Sequence, residues 1–226
     1  MASTDLTARK QYRFRDPRPL GGAAAVFLYL YLIAFSFHGV AVILTLPGQT
    51  GPNGSEGPSA DLIDLLDNFT KLVYLLALAL AAFVVLKWTY RVVANARLFD
   101  PAMPFRPAWA VGWHFIPLGS LWKPFEYFAE AWRVSQMPVP SAMAGAPRIL
   151  RWWWGLWLVS NLCSNYSFSI GKNVDDAMAV RVSVGLLLLA IALTLPLTLI
   201  LVRIIQTLGT WQWERRPQDE VTQVEI

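Results

Sequence analysis

The side chains of this chain that could bind or react fall into three groups. Lys87, Arg91 and Asn95 recur at i, i+4 and i+8, so a helix places all three on one face. Further along, Lys123, Glu126, Glu130 and Arg133 share a face of a short helix, and Trp122, Phe125, Ala129 and Trp132 form an apolar stripe beside it. Glu126 and Glu130, also at i, i+4, repel each other unless a cation lies between or opposite them, and Arg91 is the expected partner. Such a set can hold a lipid headgroup or another anion, with Arg91 and Lys123 as phosphate donors. The plainer alternative is an amphipathic helix at a lipid interface, its charges snorkelling to water and its Trp residues holding the interface.

His114 and Ser120 make the second group, in "WHFIPLGS", where Pro117 and Gly119 interrupt the helix. Backbone that leaves helical geometry at membrane depth must be buried in protein or line a wet cavity. His114 then either binds a ligand or hydrogen-bonds the broken backbone, the commoner use of an isolated His. His38, Asn161 and Asn165 make the third group, of interhelical polar residues, with Ser160 and Ser164 paired like the two Asn. A solute path past them is the alternative. The apolar spans hold no carboxylate, which argues against proton-coupled transport. With only two His, 76 residues apart, and a single Cys163, no metal set forms. No phosphate-binding loop, dinucleotide fingerprint or nucleophile elbow occurs either. No cofactor and no catalytic residue is assigned.

These groups must be positioned by membrane helices. The 226 residues are 55% hydrophobic and 15% charged, against about 25% charged in soluble domains. Eleven Trp stand largely near the ends of apolar runs, as expected of a residue that favours the lipid–water interface. The net charge of +4 comes from basic residues flanking apolar segments, a topology signal and not a nucleic-acid surface. The run Leu20–Leu46 has 27 residues, too long for a cleavable leader, whose apolar core is about 7–15 residues.

The expected fold is an all-α membrane protein with four spans, at about 20–46, 72–88, 151–171 and 182–208. A re-entrant or interfacial segment lies at about 107–133, after a basic arm at 1–19 and before a tail at 213–226. The second helix is expected to start amphipathically after Ser59, with Asp61, Asp64 and Asp67 on its wet side, and to continue past the bilayer through "TYRVVANARLF". Pro196 should kink the last span. If 107–133 does not cross, sixteen Lys and Arg lie on one side and three on the other. If it crosses, the split is eleven to seven and Lys123 is stranded in lipid. Excess Lys and Arg mark the cytoplasmic side, so four spans with both termini cytoplasmic is the preferred topology.

The strings "YRVVANAR", "PAWAVGWHFIPLGSLWKPF", "EAWRVS" and "RWWWGLWLVSN" resemble a bacterial membrane family catalogued as domain of unknown function 4328, common in actinobacteria. The resemblance runs from about Leu20 to Gln212. It departs from the family's Asn-Leu-Trp-x-Pro-Tyr pattern at Ser120 and Phe125. It implies a multi-span protein of the bacterial plasma membrane and no activity. The expected function is non-enzymatic binding of membrane lipids or a protein partner, with a homo-oligomer as one form of partner. A small transporter or channel is the alternative, and a membrane enzyme using His114 with Glu126 or Glu130 comes third.

Overall fold

The computed structural model describes residues 13–44, 60–136, 146–171 and 176–217. Ser59 lies outside them, and so do the side chains of Asp61 and Asp64. The long apolar runs become long helices: α1 (Arg18–Leu44), α2 (Ala60–Phe99), α5 (Arg148–Ile170) and α6 (Ala177–Glu214). Between α2 and α5 the chain forms α3 (Pro107–Gly112), two short 3-10 turns at Trp113–Phe115 and Gly119–Leu121, and α4 (Lys123–Ser135). No strand occurs among the described residues.

Among the described residues, three helices are long and apolar enough to cross a membrane: α1, the Leu65–Phe99 part of α2, and α6. The fourth expected span, 151–171, is not among them. The 23 residues of α5 are long enough, but Ser160, Asn161, Ser164, Asn165, Ser167 and Ser169 dilute its apolar character. At 40 residues α2 is about 60 Å long, about twice the thickness of a hydrocarbon core. Asp176 caps α6 by accepting from the backbone N–H groups of Met178 and Ala179. Helix α6 continues through Pro196 over all 38 of its residues.

The long helices stand in a row, α2–α1–α6–α5. Gly39 of α1 leaves room for the Ile191 side chain of α6, which a Cβ there would overlap. At one end, called basal here, α1 and α5 begin and α2 and α6 finish. There α4 packs on α2, α5 and α6 and ties the row's outer members together. Its Phe128 is wedged between Trp88 of α2, stacked at 5.9 Å, and Trp153 of α5, met edge-on at 5.2 Å. Trp132 meets Trp211 of α6 edge-on at 4.8 Å. The buried face of α4 therefore centres on Tyr127, Phe128, Ala131 and Trp132. The expected stripe is rotated from this: Trp122 is exposed, and Phe125 and Ala129 are only partly buried. The reason is that α4 packs against α2, α5 and α6 at once, so its buried face is set by these neighbours.

Candidate functional site

Two polar assemblies occupy the basal end. The first is a clamp on the segment that precedes α1. The Asn95 carboxamide accepts from the Arg15 N–H at 3.1 Å, donates to the Arg15 carbonyl at 2.8 Å and donates to Gln212 Oε1 at 3.1 Å. Gln212 in turn donates to the Val92 carbonyl and to Ser135 Oγ, both at 3.0 Å. Asn95, Gln212 and Ser135 are all buried, and through them the network joins α2, α4, α6 and the N-terminal segment. Arg91 donates to the Asp16 carbonyl at 2.9 Å. Phe14 is buried between Phe99 and Trp213, and the guanidinium groups of Arg18 and Arg216 lie over the Trp213 ring at 3.7 and 4.0 Å. Burial pushes the Asp16 carboxyl up, but hydrogen bonds and charge from Arg18 outweigh it, and the net shift is downward.

Arg91 and Asn95, expected at a ligand site, thus hold the chain's own backbone. Lys87, on the same helical face, is exposed, its ammonium 5.4 Å from the Phe83 ring centroid. Arg91 is also not the cation that relieves Glu126 and Glu130. Lys123 meets Glu126 at 2.6 Å, and Arg133 meets both Glu130 and, at 3.1 Å, Asp100. Each carboxylate is served by a cation three residues away on its own helix, and the carbonyl of Asp16 draws Arg91 toward the N-terminal segment.

The second assembly is the α3–α4 turn. His114 Nδ1 is 3.1 Å from the Ala110 carbonyl and 3.3 Å from that of Val111. Carbonyls only accept, so Nδ1 carries the proton and Nε2 accepts from the Tyr127 hydroxyl at 3.1 Å. Burial lowers the His114 pKa, opposed by the two backbone bonds; burial likewise raises that of Tyr127 well above its ordinary value. Both ring nitrogens are occupied in closing the turn. Ser120 Oγ donates to the Pro117 carbonyl at 2.8 Å.

Beside this turn lies a cavity of about 310 Å³ lined by Pro104, Phe105, Arg106, Trp109, Trp113 and Lys123. Its floor loop is held by Arg97, which donates to the carbonyls of Met103 and Phe105 at 3.0 and 3.2 Å. Trp109 and Trp113 lie 5.4 Å apart, and the Lys123 ammonium is 5.9 Å from the Trp113 ring. Lys123 shares its charge with Glu126, while no carboxylate pairs with Arg106 among the described residues. Two cations on aromatic walls suit a phosphate or carboxylate carried by an apolar body.

Of the interhelical group, His38 bridges α1 and α2: its Nδ1 is 3.2 Å from Thr70 Oγ1 and 3.8 Å from Asp67, and its ring stacks on Tyr74. Among the described residues, Asn161 and Asn165 do not bond across helices. Each donates to the carbonyl four residues back, Trp157 and Asn161 respectively, and faces outward. The α5–α6 bonds come instead from Ser160, to the Ala190 carbonyl and Thr194 at 3.4 Å, and from Ser167, which exchanges bonds with Ser183.

Residues 55–210 match the family model described as Domain of unknown function (DUF4328). The chain belongs to the DUF4328 family. No curated protein and no solved structure matches it. The DUF4328 match takes in Asn95 and the whole α3–α4 cavity, whereas Arg15, which Asn95 grips, and Gln212 fall outside it. Sequence reasoning had passed over Arg106, Trp109 and Gln212 in this DUF4328 chain. The one available signal was Arg106 inside "PFRPAW", where the following Pro107 holds its backbone extended.

Proposed function

We propose that this DUF4328 chain is a multi-pass protein of the bacterial plasma membrane that binds an anionic lipid headgroup at the cytoplasmic interface. In this reading α1, α2, α5 and α6 all cross, both termini are cytoplasmic, and the α3–α4 segment enters the inner leaflet and returns. Support for α5 as the fourth crossing comes from its bonds to α6. Ser160 sits level with Ala190 and Thr194, and Ser167 with Ser183, so α5 lies alongside a helix that is apolar enough to span. Support for a shallow insertion of the turn comes from its tip. Phe115 and Leu118 are 73% and 70% exposed, with Leu121 and Trp122 exposed beside them. Neither α3, with 6 residues, nor α4, with 13, is long enough to cross.

The observation that carries the proposal is the cavity next to that apolar tip, where Arg106 and Lys123 share walls made by Phe105, Trp109 and Trp113. In an inner leaflet the tip lies among acyl chains, and the two cations sit at headgroup level, where an anionic surface attracts them. Arg106 supplies a planar fork for phosphate oxygens and Lys123 a point charge. The indole walls take the glycerol and upper acyl carbons. Neutralising a phosphate there also completes the pairing of Arg106.

The test is lipid retention. Protein reconstituted in nanodiscs of mixed zwitterionic and anionic phospholipid is extracted in mild detergent and its bound lipid is quantified. Enrichment of the anionic species over its share in the mixture is expected; bound lipid that mirrors the mixture refutes the proposal.

A further inference from the structure

Asn161 and Asn165 face away from the rest of the chain, yet they lie between two rungs that join α5 to α6, Ser160–Ala190 below and Ser167–Ser183 above. That places both carboxamides inside the apolar length of α6. Each spends one N–H on the carbonyl four residues back. Among the described residues, nothing donates to either Oδ1. A carboxamide with a free acceptor pair and a free N–H facing hydrocarbon is costly, and membrane helices relieve such groups by association.

The residues around them form a seam. Gly155, Leu158, Leu162, Asn165 and Ser169 follow one another at spacings of 3, 4, 3 and 4, the repeat of a helix that pairs along its length. All but the partly exposed Leu158 are exposed, and a Cβ at Gly155 would meet nothing within 4 Å. The stripe points away from α6, against which Ser160, Cys163 and Ser167 are buried. We infer that α5 is the seam of a homodimer in which two copies pair about an axis normal to the membrane, Asn165 against Asn165 of the second copy. The inference rests on α5 crossing the bilayer.

The occupant is a second copy because the group to be satisfied is self-complementary. A carboxamide donates and accepts, so two related by a two-fold axis satisfy each other. Copies inserted with the same topology share the same depth, which brings each Asn165 to its equivalent without any shift along the helix. A lone Asn in such a seam also fixes register and parallel orientation. Asn161 falls on the flank of the seam, facing the neighbouring helix on the side where Tyr166, itself 56% exposed, offers a hydroxyl. Arg151 of each copy lies at the basal end of the seam, at headgroup level, where the two charges can splay into water.

The experiment uses full-length protein in native membranes with Cys163→Ser as background. Single cysteines replace the seam residues Leu158 and Leu162, with Asn165 left in place, and, as controls on the exposed face of α2, Leu76 and Phe83. Mild oxidation is expected to give a disulfide-linked dimer from Leu158→Cys and Leu162→Cys and not from Leu76→Cys or Phe83→Cys. No dimer, or equal dimer from the α2 positions, overturns the inference. Energy transfer between singly labelled copies in dilute liposomes then reads the polar contact. Asn165→Leu should lower the dimer fraction at least tenfold and Asn165→Gln should largely restore it; an undiminished dimer in Asn165→Leu overturns the role of the carboxamide. Anionic-lipid retention measured on the same variants separates the two proposals. Retention with no cross-linking refutes the dimer alone, and cross-linking with no retention refutes the headgroup site alone.

Discussion

Replacing Gln212 by Leu removes the centre of the basal clamp while nearly conserving volume. Three bonds are lost: the two donated to the Val92 carbonyl and Ser135 Oγ, and the one accepted from Asn95. A net ~1 kcal/mol per buried bond gives about 3 kcal/mol. The fully buried Ser135 loses a partner, while Asn95 keeps its two bonds to Arg15. At roughly 2–4 °C per kcal/mol for a chain of this size, the unfolding midpoint should drop by about 6–12 °C. Thermal unfolding in detergent, followed by tryptophan fluorescence, measures this. A double-mutant cycle with Asn95→Leu sharpens it, because the pair shares one bond and should show a coupling of about 1 kcal/mol. A loss below about 0.5 kcal/mol for Gln212→Leu, on the scale of an ordinary surface change, would refute the account of the clamp, and strict additivity would refute the shared bond.

Other expectations concern the turn and the arm. Because burial holds His114 below its ordinary 6.5, the unfolded chain binds its proton more readily. Stability therefore rises with pH through 6.5 and falls as the pH drops below it; His114→Gln should flatten that slope in unfolding measured against pH. Asp16 is shifted below 3.8, so the stability it confers is present above that value and is lost only at lower pH, which separates its effect from that of His114. A Cβ on Gly119 would lie 2.5 and 2.9 Å from Trp113 ring atoms. Gly119→Ala should displace that wall at an overpacking cost of about 1–3 kcal/mol and weaken lipid retention with Arg106 and Lys123 both in place; unchanged retention would show that the Trp113 wall is dispensable.

The long helices were legible because apolar runs of 20 residues or more admit little else, and the turn was legible because Pro117 and Gly119 interrupt one such run. Which face of each helix meets which neighbour was not. Asn161 and Ser160 are adjacent in sequence and differ by 100° around the helix; only the position of α6 decides that Ser160 bonds inward and Asn161 faces out. Likewise Arg91 shares a face with Lys87 and Asn95, but the segment before α1 crosses that face and takes two of the three. Gln212 gave no local signal, since its partners are 77, 117 and 120 residues away. Arg106 became a candidate only when the chain brought Lys123 and two indoles around it.

The most direct test sets the two arginines against each other. Full-length wild type, Arg91→Ala, and the Arg106→Ala/Lys123→Ala double variant are purified from nanodiscs of one lipid mixture, and the anionic phospholipid retained per chain is counted by native mass spectrometry. The cavity predicts that Arg91→Ala retains the lipid and the double variant loses it. Loss in Arg91→Ala with retention in the double variant would place the site on the helix face that the sequence pattern suggests and would contradict the cavity.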